Sequence, residues 1–371
     1  MRIGIDARMY SSSFTGIGRY VFELVRGVTA RHDMRGKNTY VIFLNEPAYT
    51  LFQSPHSNVE KVLVNAPIYS LREQTAFCKA LYEAKLDLMH FTHFNAPIFY
   101  RRPSIVTIHD LTVSFFPGKK FTGLLHRVGY FLTLRSIVNR AKKIIAVSRH
   151  TKKDLQKLFK IPDKKIAVIT EAAAKEFRPL KNPHCELRDE RPFILYTGNW
   201  RDHKNLVGLI RAFGVVKKSI GAPLHASIKL VITGRENPYY PEVKQAVQTE
   251  KLEHDVEFTG LVSDEALVHL YNAARVYVLP SFYEGFGLPI LEAFACDTPV
   301  ACSKTSSLPE VGGDAALYFN PHDVDDMAAV ISQLLTDEKL REQCIARGRE
   351  QLKKFSWEKM AKETLEIYSN A

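Results

Sequence analysis

Two carboxylates close together in the chain are the residues best suited to chemistry. Glu284 and Glu292 lie eight positions apart, with two glycines and Pro289 between them. The apolar run 276–279 just before them predicts a buried strand that ends at a proline. Proline suits the first turn of a helix, where its missing N–H costs nothing. We therefore expect Glu284 on the loop that leaves the strand and Glu292 in the first turns of the next helix.

The two glycines of this segment, Gly285 and Gly287, would let the backbone come close to a ligand. Unpaired N–H groups at the helix start would then face that ligand and suit phosphate oxygens. The two carboxylates suit hydroxyl groups, and a nucleotide-sugar carries both kinds of group. Taken singly, each glutamate is also explained as a surface residue whose charge suits a helix dipole. The complete segment is more specific than either glutamate.

Residues 284–292 resemble the E-x7-E signature of family 4 retaining glycosyltransferases, and the resemblance extends from Ile3 to Tyr368. It implies the GT-B fold, an α/β architecture of two doubly wound Rossmann-like domains facing across a cleft. It also implies transfer of a hexose from a nucleoside-diphosphate sugar, with retained configuration and without a metal or cofactor. The family usually uses front-face attack with the leaving phosphate as base, so no dedicated nucleophile is required.

The resemblance also implies a role for each residue of the segment. Glu284 would hold hydroxyl groups of the transferred sugar, and Glu292 would hold those of the ribose. The residues between them are predicted to bind substrate, with the last two amides near the sugar and phosphate: Gly285, Phe286, Gly287 and Leu288. Leu261 is added because in similar enzymes the backbone after the preceding glycine holds the nucleotide base. The identity of that base cannot be read from main-chain amides.

Positive charge for the donor diphosphate is predicted on the segment 198–205, after a strand-like run. A diphosphate carries about two negative charges, which cations stabilise in a partly dry cleft. Lys204 aligns with the phosphate-binding lysine of the family. Asn199 and His203 stand where the family commonly has arginine, so Arg201 is the available guanidinium.

His109 follows the strand-like run 105–108, so its imidazole should project from the carboxyl end of a strand. A histidine in that position is often structural. Here it matches the T-x-H motif of the family, whose histidine lies beside the transferred sugar. We therefore assign His109 to contacting the sugar and stabilising charge near the reacting carbon. Asp110 either orients the imidazole or begins the next turn, and the sequence leaves both open.

Gly16 and Gly18 belong to a Gly-x-Gly in the loop 15–20, ahead of a predicted helix. The dinucleotide-binding fingerprint needs a third glycine, so the motif alone is equally well explained as a helix-entry turn. In the family, a Gly-x-Gly at this place faces the donor diphosphate. The resemblance therefore makes both glycines candidates for substrate binding.

Strand-like runs alternate with helical stretches in both halves of the chain, which predicts parallel sheets covered on both faces. The stretch 171–192 is rich in proline and charge and is the best interdomain linker. The C-terminal segment predicts a capped amphipathic helix, which in the family crosses back to the first domain. We therefore predict an acceptor-side domain of residues 1–172 plus 356–371, and a donor domain of residues 173–355.

The net charge of +11 is divided unevenly, with +15 on residues 1–172 and −4 on the remainder. An excess on one side suggests an anionic partner for the first domain: nucleic acid, an anionic membrane surface or a phosphate-bearing acceptor. The basic cluster 140–165 is explained either as a solvated helix face or as a lipid-docking surface. Within it, Thr151 to Asp154 predict a capping box that opens a short helix. The stretch 124–137 does not separate into two clean faces, so it does not predict a membrane helix.

Several features bound the location and the metal chemistry. The five cysteines are odd in number and lack metal-type spacing, which favours free thiols in a reducing cytoplasm. No apolar run approaches the roughly 18 residues of a membrane span, and the N-terminus predicts a strand and not a signal. The D-x-D at Asp323 binds a divalent metal in other glycosyltransferases, but helix capping explains it here. We expect a cytoplasmic protein with no bound metal, and the two explanations of the basic cluster leave open a peripheral location at the inner face of the membrane.

Two other functions were weighed against the glycosyltransferase. A nucleotide-sugar epimerase of the same fold should carry extra acid/base carboxylates and lack the E-x7-E loop. A nucleic-acid-binding protein should interleave aromatic residues with the basic cluster, and the sequence does not. Residues 3–8 and 15–20 look most like mannosyltransferases of polysaccharide or lipid-linked glycan assembly, such as lipopolysaccharide. We therefore favour GDP-mannose as donor, a glycan or lipid-linked acceptor, and no nucleic-acid partner.

The family usually has glycine where this chain has Asp297. A left-handed turn at that position disfavours most side chains, but aspartate tolerates it better than most. We expect the turn to be kept, with an additional negative charge near the site.

Overall fold

The computed structural model describes residues 1–11, 16–30, 38–119, 124–219 and 227–371. For residues 124–126 it describes only the backbone. Residue 15 of the predicted glycine loop lies outside this description. No helix in the described ranges is long and apolar enough to cross a membrane.

The chain forms two compact units. The first consists of Met1–Ser114, Phe121–Glu171 and Ser356–Ala371, and the second of Phe115–Lys120 and Ala172–Phe355. The predicted domains differ from these units by one residue at the linker. They differ also in the segment after Ser114, which packs with the second unit and which the sequence did not single out.

The first unit is built on a parallel sheet. Its strands are β1 (Arg2–Asp6), β2 (Thr39–Leu44), β3 (Val59–Leu63), β4 (Leu88–Phe91), β5 (Ser104–Ile108), β6 (Lys143–Ala146) and β7 (Ile166–Val168). In the described chain they form a seven-stranded sheet in the order β3-β2-β1-β4-β5-β6-β7. The central register pairs Ile3 with Tyr40 on one side and Leu88 on the other. Apolar residues fill both faces, as expected for a parallel sheet covered by helices.

The second unit repeats this plan. Its strands are β8 (Phe193–Thr197), β9 (Lys229–Thr233), β10 (Val256–Gly260), β11 (Val276–Leu279), β12 (Val300–Ser303) and β13 (Leu317–Phe319). They form a six-stranded sheet in the order β10-β9-β8-β11-β12-β13. Every strand pair in both sheets is parallel. The predicted runs 105–108 and 276–279 form β5 and β11, with bounds that differ by at most one residue.

Helices connect the strands. In the first unit they are α1 (Gly16–Ala30), α2 (Ala48–Leu51), α3 (Cys78–Glu83), α4 (Thr112–Phe115), α5 (Leu124–Arg140) and α6 (Arg149–Phe159), with a π-helical segment at Glu73–Phe77. In the second unit they are α7 (Leu206–Ser219), α8 (Glu242–Thr249), α9 (Asp264–Ala273), α10 (Leu288–Ala295), α11 (Leu308–Gly312), α12 (Val324–Thr336) and α13 (Glu338–Leu352). The last helix, α14 (Trp357–Ser369), returns to the first unit.

Helix α14 packs against α1 in the first unit. A Cβ atom at Gly27 would lie 2.6 Å from the Cβ of Ala361, so glycine permits the close approach of the two helices. The buried Tyr368 hydroxyl lies 2.7 Å from His90 Nδ1 on β4. The packing and this hydrogen bond together fix the C-terminal helix to the first sheet.

The helix starts show one wrong prediction. Helix α6 begins at Arg149, and its N-cap is Ser148, whose Oγ accepts a hydrogen bond from Thr151 N at 3.0 Å. The predicted capping box from Thr151 to Asp154 is therefore wrong, because Ser148 already has the extended backbone that an N-cap needs. The expected cap at Asp323 is confirmed, since its side chain accepts from the N–H groups of Asp325 and Asp326.

Candidate active site

The strand order of the second sheet reverses between β8 and β11. Strand β9 lies on one side of β8, whereas β12 lies on the far side of β11. In doubly wound sheets ligands bind beyond the carboxyl ends of strands at such a point. The loop after β8 carries Lys204, and the loop after β11 carries Glu284. The topology therefore brings the two predicted donor-binding loops together.

Lys204 and Glu284 form an ion pair at this edge of the sheet. Lys204 Nζ lies 2.7 Å from Glu284 Oε1 and 3.0 Å from Oε2. The hydroxyl of the buried Ser281 donates to Oε1 at 2.5 Å. Burial raises the pKa of Glu284, but the Lys204 charge and these hydrogen bonds outweigh it and leave the pKa below its usual value. Glu284 is therefore an ionised acceptor at neutral pH.

The segment after Glu284 is held by serines of the loop that follows β12. Ser306 Oγ accepts from Glu284 N at 3.0 Å. The Ser307 hydroxyl lies 2.7 Å from the carbonyl oxygen of Phe286 and 3.0 Å from that of Glu284. The predicted residues Gly285, Phe286 and Gly287 are buried, and Leu288 is partly buried. These hydrogen bonds fix the backbone of the loop.

Gly287 forms the N-cap of α10 with a φ of 113°. A Cβ atom there would lie 2.9 Å from Leu308 Cδ2, so a side chain would be strained and crowded. The packing against Leu308 therefore requires glycine at this position, whether or not a ligand also approaches it. Pro289 lies in the first turn of the helix, as predicted.

Glu292 lies in the second turn of α10 and is partly exposed. Its Oε2 accepts a hydrogen bond from the hydroxyl of Tyr271 at 2.9 Å. Tyr271 is on α9 and is fully buried. Sequence reasoning missed this contact because the two residues lie 21 positions apart on different helices.

The loop that carries Lys204 is closed by a 3₁₀ turn, Asp202–Lys204, and by a left-handed Asn205. The Asn205 amide donates to the carbonyl oxygens of Pro280 at 3.1 Å and Pro321 at 2.8 Å. This fastens the loop to the end of β11. Arg201, just before the turn, is exposed.

His203 lies inside the same turn and is buried. Burial and the neighbouring Lys204 charge lower the pKa of His203 to about 3, so the ring is neutral at pH 7. Lys204 is therefore the cation that the loop holds against Glu284.

Leu261 follows β10 and is 67% exposed, directly after Gly260 with a φ of 68°. Its backbone is at the carboxyl end of that strand, where the prediction needs it.

In the first unit, His109 follows β5 and is buried. Its Nδ1 lies 2.9 Å from Glu171 Oε1, and its Nε2 lies 3.0 Å from the carbonyl oxygen of Thr92. The ring of Tyr20 meets it edge-on with centroids 4.7 Å apart. Glu171 is a further candidate that sequence reasoning missed, because the linker residues gave no signal of a contact 62 positions away.

Asp110 begins the next turn. Its Oδ1 accepts a hydrogen bond from Thr112 N at 2.8 Å, at the start of α4. The imidazole of His109 is oriented by Glu171 instead. Of the two interpretations left open by the sequence, the structure selects the turn.

Gly16 and Gly18 are not in a loop, which corrects the prediction. Helix α1 begins at Gly16, so both glycines lie in its first turn, with Gly16 exposed and Gly18 buried. Buried apolar residues continue the helix after the two glycines. The backbone N–H groups of Gly16 and Gly18 therefore belong to a helix N-terminus, which also suits an anion.

Asp297 has a φ of 57°, the left-handed turn that was expected. Its carboxylate pairs with Arg349 Nε at 2.7 Å and Nη2 at 2.8 Å. The additional negative charge is therefore matched by an arginine on α13. Within the described ranges, no three His, Cys, Asp or Glu side chains are grouped as a metal site.

The structure thus gathers the predicted residues into two groups, one in each unit. Lys204, Glu284 and Glu292 belong to the second unit at the carboxyl end of its sheet. Arg201 lies on the same loop as Lys204, and Leu261 lies on the loop after β10. His109 and the glycines of α1 belong to the first unit. Each group lies at the end of its sheet where doubly wound proteins bind ligands.

Comparison with known proteins gives the family. A family described as glycosyl transferases group 1 matches residues 179–351, and glycosyltransferase family 4 matches residues 14–172. The chain is 32% identical over 374 residues to O-antigen chain mannosyltransferase B of Escherichia coli, covering 95% of this chain and 96% of that protein. The chain belongs to glycosyltransferase family 4. The predictions of this family and of an enzyme of the hexosyltransferase class are confirmed.

Solved structures agree on the fold. Sucrose-phosphate synthase of Thermosynechococcus elongatus has a TM-score of 0.79 at 21% identity, covering 100% of this chain and 98% of that one. The Anabaena protein HepE, solved in complex with UDP-glucose, has a TM-score of 0.76 at 16% identity, covering 100% of both chains. Together with the two parallel sheets, these likenesses confirm the predicted GT-B fold class of this glycosyltransferase.

Proposed function

We propose that this glycosyltransferase moves mannose from GDP-mannose to a glycan or lipid-linked acceptor, with retention of configuration and without a metal. The observation that carries the proposal is the Lys204–Glu284 pair at the carboxyl end of the second sheet. In the proposal, Lys204 is the cation for the diphosphate and Glu284 is the carboxylate for the sugar hydroxyls. The choice of mannose is supported by the relative that is named an O-antigen chain mannosyltransferase.

In this proposal the second unit binds the donor and the first unit serves the acceptor. Glu284 accepts hydrogen bonds from hydroxyls of the mannose, Glu292 accepts those of the ribose, and Lys204 and Arg201 bind the diphosphate. Amides of Gly287 and Leu288, at the N-terminus of α10, donate toward sugar and phosphate.

The reaction needs no nucleophile from the protein. The acceptor hydroxyl oxygen forms a bond to the anomeric carbon on the face from which the diphosphate leaves. The bond between that carbon and the phosphate oxygen breaks, and the acceptor proton passes to the leaving phosphate. Lys204 stabilises the negative charge that develops on this phosphate. The alternatives, an epimerase or a nucleic-acid-binding protein, are not favoured by the matched relatives.

Donor screening tests this proposal. Melting temperatures measured with GDP-mannose, UDP-glucose and ADP-glucose should rise most with GDP-mannose, because a ligand that binds only the folded state stabilises it. Transfer should persist in excess EDTA, and NMR of the first product should show the anomeric configuration of the donor. A larger melting shift with UDP-glucose or ADP-glucose would contradict GDP-mannose as the donor. EDTA-sensitive transfer would contradict metal independence, and an inverted product would contradict retention.

We also propose that the first unit docks on anionic lipid at the inner face of the membrane. Helix α5 exposes one face formed by Arg127, Val128, Phe131, Leu132 and Arg135. Its buried positions are apolar and include Leu134, Ile137 and Val138. Apolar side chains flanked by arginines suit insertion between anionic headgroups.

Vesicle sedimentation tests the docking. Vesicles with phosphatidylglycerol should retain the protein at low salt, and neutral phosphatidylcholine vesicles should not. Phe131→Ser should weaken binding, whereas Leu51→Ser should not, since Leu51 is 74% exposed on the short helix α2. Equal retention by both kinds of vesicle, or equal binding by both variants, would contradict this surface.

A further inference from the structure

Three buried hydroxyl groups form a chain that ends at Glu292. Tyr277 Oη lies 3.2 Å from Thr197 Oγ1, Thr197 Oγ1 lies 2.9 Å from Tyr271 Oη, and Tyr271 Oη lies 2.9 Å from Glu292 Oε2. Both tyrosines are fully buried, and Thr197 is buried as well. The chain therefore runs through the interior of the second unit and reaches a partly exposed carboxylate.

The direction of these hydrogen bonds follows from counting protons. A hydroxyl has one proton to donate, and an ionised carboxylate can only accept. Tyr271 must use its proton on Glu292, so its oxygen accepts from Thr197. Thr197 has then used its own proton and accepts from Tyr277. All the donors point toward Glu292, and hydrogen bonds aligned in this way strengthen one another.

The chain of hydroxyl groups links the neighbouring strands β8 and β11 to helix α9. Thr197 is the last residue of β8, Tyr277 lies on β11, and Tyr271 lies on α9. The Thr298 hydroxyl also donates to the carbonyl oxygen of Tyr271 at 2.6 Å, which fixes the backbone of α9 near that residue. The position of the Glu292 side chain is thereby set by the two central strands of the sheet.

We propose that Tyr271 is a positioning residue for recognition of the donor ribose, acting through Glu292. The Tyr271 hydrogen bond takes one of the roughly four acceptor positions of a carboxylate, so this bond is compatible with Glu292 also accepting from ribose hydroxyls. The fixed phenol holds the carboxylate in one rotamer, so less side-chain entropy is lost when the donor binds. This inference rests on the proposed function, in which Glu292 binds the ribose.

The test compares GDP with 2′,3′-dideoxy-GDP by titration calorimetry. The wild-type protein should bind GDP more tightly, because only GDP has the hydroxyls that Glu292 accepts. Tyr271→Phe keeps the ring and removes the hydroxyl, and it should reduce the ratio of the two affinities by about tenfold, the size expected for a hydrogen bond to a charged group. Tyr318→Phe is the matched control, because the Tyr318 hydroxyl donates to the carbonyl oxygen of Gly313. That control should keep the wild-type ratio.

Turnover gives a second measurement. Tyr271→Phe should raise KM for GDP-mannose and leave kcat close to the wild-type value, since in the proposed function Glu292 contacts the ribose and not the bond that breaks. If Tyr271→Phe does not fold, Thr197→Val takes its place and should shift the affinity ratio in the same direction. An unchanged ratio in the folded variant would overturn the inference. Failure of the wild-type protein to bind any nucleoside diphosphate would instead overturn the proposed function.

Discussion

Lys204 and Glu284 neutralise each other, although each is assigned to a different part of the donor. Their side chains are 21% and 14% exposed, so neither charge is fully removed from water. A diphosphate that approaches Lys204 competes with the carboxylate for the same ammonium group. Sugar hydroxyls and Ser281 then remain as donors to Glu284. Donor binding therefore exchanges one set of charge-assisted hydrogen bonds for another.

The first prediction concerns this lysine. Lys204→Gln should lower kcat/KM for the donor by about 100-fold, the size expected when a donor to developing charge is removed. Arg201→Gln should have a smaller effect, because Arg201 is exposed and lies outside the ion pair. Steady-state kinetics with varied donor measures both changes.

Lys218→Gln is the matched control, because Lys218 is an exposed lysine at the end of α7 in the same unit. It should leave kcat/KM unchanged. A Lys204→Gln variant that folds and retains wild-type kcat/KM would remove Lys204 from the diphosphate site.

Single residues could be predicted where their chemistry is local in the sequence. Lys204 and Glu284 were predicted from motifs, and their ion pair follows from the neighbouring positions of β8 and β11. Glu171 and Tyr271 were not predicted, because their contacts to His109 and Glu292 are created by the fold. Their roles in the site, like those of the motif residues, stay predictions.

At the scale of elements, the start of α10 is the most constrained point near the candidate site. Gly287 takes a φ of 113° and packs against Leu308 from the neighbouring helix α11. The amides at this helix start are the ones assigned to the sugar and phosphate. A change in the position of the helix start therefore changes the site directly.

The second prediction follows from this geometry. Gly287→Ala should destabilise the protein by about 1–3 kcal/mol, since it adds left-handed strain and a contact with Leu308. It should also raise KM for the donor by moving the helix start. Melting temperature and kinetics measure the two effects.

Gly129→Ala on α5 provides the contrast. A Cβ atom at Gly129 would meet nothing within 4 Å, so alanine should raise stability by up to about 1 kcal/mol through its helix propensity. If Gly287→Ala were as stable and as active as Gly129→Ala, the constraint at α10 would be wrong.

The strands were the elements that the sequence predicted best. Their runs of β-branched and aromatic residues are buried on both faces and are bounded by polar or proline residues. Helix starts were harder, because several serines and threonines compete to cap one helix, as Ser148 and Thr151 do at α6. The π-helical segment Glu73–Phe77 directly precedes α3, and it cannot be read from the sequence because a single inserted residue barely alters the helical pattern.

At the scale of the whole molecule, each unit contains a buried polar network as well as an apolar core. In the first unit, His90 bonds to Tyr368 at 2.7 Å and to Thr107 at 2.8 Å, and Thr107 bonds to Tyr20 at 2.9 Å. These contacts join β4, β5, α1 and the C-terminal helix. The sequence could not predict them, since His90 and Tyr368 lie 278 positions apart.

The third prediction concerns pH. Burial, followed by the charge of His109, lowers the pKa of His90 to about 3. Below its ordinary pKa of 6.5, His90 binds a proton in the unfolded chain but not in the folded one, so stability falls as the pH falls from 6.5 toward 3. His90→Asn should therefore lose about 1.4 kcal/mol less stability than the wild-type protein between pH 7.5 and pH 5.5.

Urea unfolding at the two pH values measures this difference. His254→Asn is the control, because His254 is exposed, and it should keep the wild-type pH dependence. The same loss of stability in the His90→Asn variant and the wild-type protein would show that His90 is not held as a neutral, buried ring.

Mannosyl transfer by Glu284→Gln tests most directly whether this carboxylate binds the transferred sugar. The variant keeps the shape of the side chain and removes the negative charge from the group that accepts hydrogen bonds from Lys204 and Ser281 and, in the proposal, from the sugar. We predict that kcat with GDP-mannose falls by about 100-fold or more while the melting temperature stays near that of the wild-type protein. Glu350→Gln, at a side chain that is 70% exposed on α13, should retain full activity. A folded Glu284→Gln enzyme with wild-type turnover would contradict the account.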